Sequence, residues 1–300
     1  MIELKSTYSV DEYSFPFEFS HGFVGTPIDD RSQYSIEFVK RECQSTSLFQ
    51  YRQQTLDVVI DGVPIECHLL EKHIEKNKPT SVLVDSTSLD IPELALILKA
   101  LHSYPGIRIV LLYVEPIEYT SGESKALEQE DFALSNEISG FEGAGIPTVS
   151  MPIDDENLRR FILFVGFEGG RLQSAIETYD ISSEEARIYF GLPAFKPGWE
   201  SRSMRRNLQA LSDQSIGGRI GYCSASSCTD ALNSLRKAKA SDEGTINYVV
   251  PLGTKPNSIA SILFTLENPK SVRLLYDLPN KRNGRSRGIG RRHYYHYLVP

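Results

Sequence analysis

The chain has 300 residues, 40% of them apolar and 24% charged, the range of a soluble globular protein long enough to bury a core without disulfide or metal staples. Its net charge of −7 is uneven: residues 1–150 carry 11 basic and 24 acidic side chains, hence −13, and residues 151–300 carry 21 and 15, hence +6. This balance excludes a general nucleic-acid binder and places an anionic ligand on the second half. Residues 1–10 hold no apolar stretch followed by small residues, and the apolar runs near 94–101 and 107–114 fall well short of the roughly 20 residues a bilayer needs. The expectation is a cytoplasmic protein with no membrane segment. Of Cys43, Cys67, Cys223 and Cys228 only the last two are close, as C-x₄-C without a second pair. The six histidines have no ligand spacing, so free thiols are expected rather than a zinc site, and no cofactor motif is identified.

In chain order, 15–19 and 33–39 alternate as strands do. Residues 56–60 and 63–70 flank Asp61-Gly62, a pair that supplies the positive φ angles of a type I′ hairpin turn. The apolar run 81–84 predicts a strand buried on both faces, followed by the polar loop 85–88. A helix over 92–101 follows, with Asp90 or Ser88 as N-cap and Pro92 near its start, then a strand over 107–114. This is one βαβ unit. Residues 117–157 are mostly acidic and breaker residues, with an irregular helix near 124–137 and a domain boundary near 150.

Beyond 158 the alternation is regular. Strands are expected at 161–165, 186–192, 219–222, 246–250, 272–277 and 293–299, and helices at 169–179, 201–211, 229–239 and 257–266. The fold class that follows is α/β: a doubly wound, mostly parallel, Rossmann-like sheet with a smaller strand-rich N-terminal region. The division is 1–150, with one βαβ unit, and 151–300, the Rossmann-like part with a basic C-terminal loop. Two echoes run through the chain. The stretch 81–116 ends in Leu-Leu-Tyr-Val-Glu-Pro and 246–279 in Leu-Leu-Tyr-Asp-Leu-Pro, and Gly-Phe-Glu-Gly at 140–143 recurs at 166–169.

Ligands of open parallel sheets bind beyond the carboxyl ends of strands, so the loops after strands are the candidate sites. In the loop 166–171, Gly166, Gly169 and Gly170 admit backbone amides to a phosphate beside Glu168, and Arg171 adds a planar charged fork. The same residues also suit a tight strand-to-helix turn; the spacing is not G-x-G-x-x-G, and no Walker motif occurs. In the loop 251–257, Gly253 permits close approach, Thr254 offers a hydroxyl, Lys255 a point charge, and Asn257 lies in the first helical turn behind Pro256. Asp85 and Thr87 supply a carboxylate and a hydroxyl suited to a ribose or a metal-bound phosphate, or to capping the next helix.

The run Leu252-Gly253-Thr254-Lys255-Pro256 between a strand and a helix resembles the Gly-Thr-Lys loop of the CRISPR-associated Rossmann-fold (CARF) sensors and their relatives in bacterial antiviral systems. The resemblance covers about 158–280. It implies a loop that contacts a cyclic oligoadenylate or related nucleotide across a dimer, and a place as sensor or subunit in a defence system. The family's usual Thr-Gly-Gly-Thr-Lys stands here as Pro251-Leu252-Gly253-Thr254-Lys255, one glycine short.

Two basic clusters remain. Arg202, Arg205 and Arg206 open a helix against the dipole preference, which an anionic partner would explain. Residues 281–292 carry Lys281, Arg282, Arg285, Arg287, Arg291 and Arg292 with no acidic residue. The expectation is a mobile cationic loop, with Tyr294, Tyr295 and Tyr297 placed to stack bases, or a dock for an acidic partner, including the protein's own first half. Three functions follow. The first is a nucleotide or oligonucleotide-binding module using 166–171 and 253–257, with Lys255 and Arg171 on phosphate and Asp85 on ribose or base. The second is a metal-dependent hydrolase or nuclease in which Asp85 and Glu168 hold a divalent ion. The third is an interaction subunit working through the basic loop. A homo-oligomer or complex subunit is expected, and no motif marks an activated nucleophile.

Overall fold

The computed structural model describes residues 1–11, 13–76, 79–120, 132, 134–137, 140–141, 145–150, 158–217, 219–240, 242 and 244–300. They form two compact units. The first gathers Met1–Tyr119, Ile146–Val149 and Asn283–Pro300; the second holds Thr120–Gly145 and Ser150–Arg282.

The first unit opens with β1 (Lys5–Ser9), β2 (His21–Val24) and α1 (Asp30–Glu42). Residues 33–39, expected as a strand, lie inside α1. Its buried residues are Arg31, Ser32, Ser35, Ile36, Phe38 and Val39, so an arginine and two serines at helical spacing hide the apolar period. An Asp29–Ser32 capping box starts the helix. Residues 15–19 are not a strand either. Phe19 makes an isolated bridge to Cys43, while Tyr13, Phe15 and Phe17 pack on a core of Phe19, Phe38, Val110, Leu112 and Tyr294; their alternation records ring burial, not pairing. Next come β3 (Thr46–Arg52) and the hairpin β4 (Asp57–Ile60) and β5 (Val63–Glu66), turned by Asp61 and Gly62 at φ of 51° and 83°. Then α2 (Leu70–Glu75), β6 (Ser81–Asp85), α3 (Ile91–Leu101) and β7 (Arg108–Tyr119) follow. Every residue of β6 is buried, and α3 begins with an Asp90–Glu93 capping box behind which Pro92 sits.

The second unit runs β8 (Ser135–Glu137), β9 (Leu158–Val165), α4 (Gly169–Tyr179), β10 (Ala186–Gly191), α5 (Trp199–Asp213), β11 (Arg219–Cys223), α6 (Cys228–Ala238), β12 (Thr245–Pro251), α7 (Lys255–Glu267), β13 (Val272–Leu274) and β14 (Asn280–Lys281). The helix expected at 124–137 falls largely outside the described residues; 135–137 are strand. Its main sheet has the order β11-β10-β9-β12-β13, parallel throughout. Counted along the chain, that is third, second, first, fourth, fifth. Phe161, Leu163, Val165, Ile188 and Phe190 face a core shared with α4 and α5. On the other face α6 and α7 pack together, α7 against β12 and β13.

The chain closes in the first unit with β15 (Ser286–Leu298), antiparallel to β7 on one side and to β1 on the other. The mobile basic loop expected over 281–292 is therefore mostly strand. Its glycines serve a bulge between Ile289 and Arg292: Gly288 has φ +71°, and a Cβ on Gly290 would lie 2.8 Å from the Glu115 carbonyl oxygen. The full order is β1-β15-β7-β6-β2-β3-β4-β5, with β7, β6, β2 and β3 parallel and antiparallel strands outside. The protein is thus mixed α/β with largely parallel sheet centres. No described helix is long and apolar enough to cross a membrane.

Candidate functional site

In the second unit the strand order reverses between β9 and β12, and the loops that leave their carboxyl ends part to opposite faces, the geometry that opens a crevice. The two candidate loops meet there. A Cβ on Gly166 would lie 2.6 Å from the Leu252 carbonyl oxygen and 3.6 Å from the Gly253 Cα. The glycines thus permit contact between the two turns. The Gly166 carbonyl also accepts hydrogen bonds from Ser203 Oγ and Asn207 Nδ2, each at 2.7 Å, which ties α5 to the rim.

In the loop after β12, Thr254 and Asn257 form the capping box of α7. Thr254 Oγ1 lies 2.6 Å from the Ala225 carbonyl oxygen and 2.8 Å from Asn257 Oδ1. Asn257 is buried, and Lys255 is the half-buried first residue of the helix. The nearby Cys223 thiol is pushed up to about 12 by burial, so it is a protonated packing group rather than a nucleophile.

In the loop after β9, Arg171 is buried and donates from Nε and Nη2 to the two oxygens of Asp277, both at 2.6 Å. Burial opposes its charge, but Asp277 outweighs burial and holds the guanidinium ionised. A phosphate at Arg171 would have to displace a buried carboxylate. Glu168 precedes α4 without capping it; its carboxylate accepts instead from Ser135 N at 3.0 Å and Ser135 Oγ at 3.1 Å. The first turn of α4, Gly169-Gly170, opens onto a cavity of about 390 Å³ lined also by Phe132, Phe167, Gln173 and Arg206, with Glu168 and Asp213 as its acidic members. A Cβ on Gly169 would lie 2.7 Å from the Arg206 carbonyl oxygen, so the close packing of α4 on α5 brings Arg206 to the helix end. Phe132 and Phe167 meet edge to face at 4.9 Å, and Trp199 completes the cluster. The Arg202 guanidinium lies over Phe132 at 4.6 Å. Asp277 and the aromatic cluster escaped the sequence reading, because their partners lie far off in the chain.

Asp85 and Thr87 belong to the first unit, where they secure the loop after β6. Asp85 is fully buried and accepts from Ser88 Oγ at 2.6 Å, Ser35 Oγ at 2.7 Å and Thr87 N at 2.9 Å. Burial pushes its carboxyl up, against the pull of these bonds. Thr87 Oγ1 accepts from Val114 N at 3.0 Å. Asp85 and Glu168 thus lie in different units, each bound to hydrogen-bond donors. Among the described residues no group of three or more His, Cys, Asp or Glu side chains is placed to hold a metal ion.

The basic residues divide between the two units. Arg205 and Arg206 are exposed on α5, and Lys281 and Arg282 lie in the second unit. Arg285, Arg287, Arg291 and Arg292 lie in the first. Arg291 covers Tyr8 and Arg292 covers Tyr34. Tyr294, Tyr295 and Tyr297 are buried, so the expected base-stacking tyrosines are core residues, because β15 is an inner strand.

No family model matches the chain, and no curated protein matches it. A solved structure of an ABC-transporter solute-binding protein from Agrobacterium vitis, bound with α-D-tagatopyranose, is similar at 13% identity over 86% of this chain and 76% of that chain, with a TM-score of 0.28. A likeness at that level assigns neither fold nor ligand. These comparisons correct the resemblance to the CRISPR-associated sensors and remove the antiviral role that rested on it. Locally, Thr254 and Asn257 of that motif build the α7 cap, a use that any strand-to-helix turn can make of Thr-x-x-Asn.

Proposed function

We propose that the second unit is a Rossmann-like nucleotide-binding module whose ligand places a phosphate on the amino end of α4. The parallel third-second-first-fourth-fifth order, with helices on both faces, supports the doubly wound reading and a ligand beyond the carboxyl ends at the reversal. One observation carries the reading: α4 begins with two glycines and no side-chain cap, and this end opens onto the 390 Å³ cavity that Arg206 shares. First-turn amides seek an acceptor, and the helix field favours an anion there by about 0.3–1 kcal/mol, more where water is excluded. Arg206 adds a charged fork suited to phosphate. Phe132 and Phe167 offer apolar rings to a base, and the carboxylates of Glu168 and Asp213 offer acceptors to sugar hydroxyls while disfavouring further bare phosphate. The ligand class is a nucleoside monophosphate.

Calorimetric titration of the whole chain with AMP, GMP, CMP and UMP tests this. Binding of at least one is expected, about tenfold weaker in Arg206→Gln, a loss of roughly 1.4 kcal/mol, and weaker again with Phe167→Ala. Loss in Lys255→Ala with none in Arg206→Gln would move the phosphate to α7 and overturn the placement. Absence of heat with all four overturns the reading.

A further inference from the structure

Three arginines meet at the amino ends of neighbouring strands in the second unit, away from the cavity just described. Arg187 on β10 pairs in register with Arg219 on β11, and Ile162, two residues beyond Arg160 on β9, pairs with Arg187 from the other side. Alternation along the strands sets all three on the face opposite the α4–α5 core, because Phe161, Ala186 and Ile188 face that core. Arg160 stands five residues before the carboxyl end of β9, about 16 Å from the rim at the strand rise.

Like charges opposed across strands repel. Arg159, the next residue on the other face, has Glu185 at 2.9 Å; among the described residues Arg160, Arg187 and Arg219 have no ion pair. Arg187 donates from Nη1 to the carbonyl oxygens of Glu184 at 3.0 Å and Ala186 at 2.7 Å. The buried Arg160 Nε has no hydrogen-bond partner among the described residues. Arg187 is lowered first by burial and then by the charges of Arg160 and Arg219. A cluster of three cations that leaves a buried donor unused is suited to an anion.

We infer that the face carrying Arg160, Arg187 and Arg219 binds the linked phosphates of a polyphosphate chain, free or carried by a nucleoside. Arg187 and Arg219 are opposed at the strand spacing of about 4.8 Å, and Arg160 stands two residues, about 7 Å, further back along β9, so the three forks form a staggered row that linked phosphates can span, whereas a monocarboxylate would satisfy one. The site is independent of the α4 cavity and stands whether or not that cavity binds nucleotides.

Titration of inorganic tripolyphosphate into the Arg206→Gln chain, in which the α4 end is weakened about tenfold, and into the same chain with Arg160 or Arg219 also replaced separates this face from the α4 end. Binding is expected, with an affinity that falls steeply between 50 and 200 mM salt. Arg219→Gln and Arg160→Gln should each weaken it about tenfold, and Arg219→Lys less. ATP binding as tightly as tripolyphosphate identifies the phosphates alone as the ligand, and tighter ATP binding adds the nucleoside; both support the proposal. Without ligand, Arg219→Gln should raise Tm by about 1–2 °C through relief of repulsion. A fall in Tm, an unchanged affinity in the glutamine variants, or no binding to tripolyphosphate overturns the assignment.

Discussion

Asp85 and Arg171 are two of the charged side chains that the loops bring forward, and both are held by neighbours in their own unit. Asp85 collects its donors from α1 and from its own loop, and Arg171 takes Asp277 from 106 residues away. For Asp85, burial raises the carboxyl above its ordinary range. The stability tied to its proton is therefore complete below that range and is lost as pH rises through the raised value. Asparagine keeps an acceptor for the Thr87 amide and donates to serine hydroxyls able to accept, without a buried charge. Asp85→Asn should be at least as stable as the wild type at pH 7, with a flatter pH dependence in urea unfolding. Asp85→Ala strands several buried donors and should lose on the order of 3 kcal/mol. Equal damage from both variants would show that the carboxylate charge itself is required.

Between elements, the two units use one device at the reversal of strand order. A Cβ on Gly25, just after β2, would lie 2.6 Å from the Ser88 carbonyl oxygen, and one on Gly166, just after β9, 2.6 Å from that of Leu252. In both cases the obstacle is backbone, which yields little. Gly25→Ala and Gly166→Ala should each destabilise by about 1–3 kcal/mol, whereas Gly217→Ala, with nothing within 4 Å of its Cβ, should stay within about 0.5 kcal/mol. Matched unfolding curves for the three would remove the packing argument. The echo between 81–116 and 246–279 falls on equivalent pieces: β6-α3-β7 and β12-α7-β13 follow the reversal in their sheets, each helix opening with a capping box and a proline. The echo at 140–143 runs partly outside the described residues.

At the scale of the molecule, the chain builds most of one unit, then the other, and returns to the first with β15. All five strands of the second sheet and its four helices lie within 158–274. A fragment spanning 120–282 should therefore fold alone, giving one cooperative thermal transition and keeping the nucleotide affinity proposed for the second unit. Truncation after 282 should unfold the first unit, since β15 lies between β1 and β7 and carries buried Tyr294, Tyr295 and Tyr297. A soluble 1–282 chain with both units intact by hydrogen exchange would contradict this. A cut at 150 assigns 283–300 to the second part, because strand and turn patterns say where a segment is extended but not which sheet receives it.

Features that depend on a few adjacent residues were legible in the amino-acid order. The Asp61-Gly62 turn, the starts of α3 and α7, the buried runs of β6 and β9, and the alternation after 158 follow from backbone sterics, capping and period. Helix α1 was not, because serines occupy its buried stripe. Nor was the role of Arg171, the meeting of Arg206 with the α4 end, or the register that lines up Arg160, Arg187 and Arg219. Those depend on which distant segments pack together, and local hydrogen bonding and periodicity do not encode a partner that the chain reaches only after the sheet has closed.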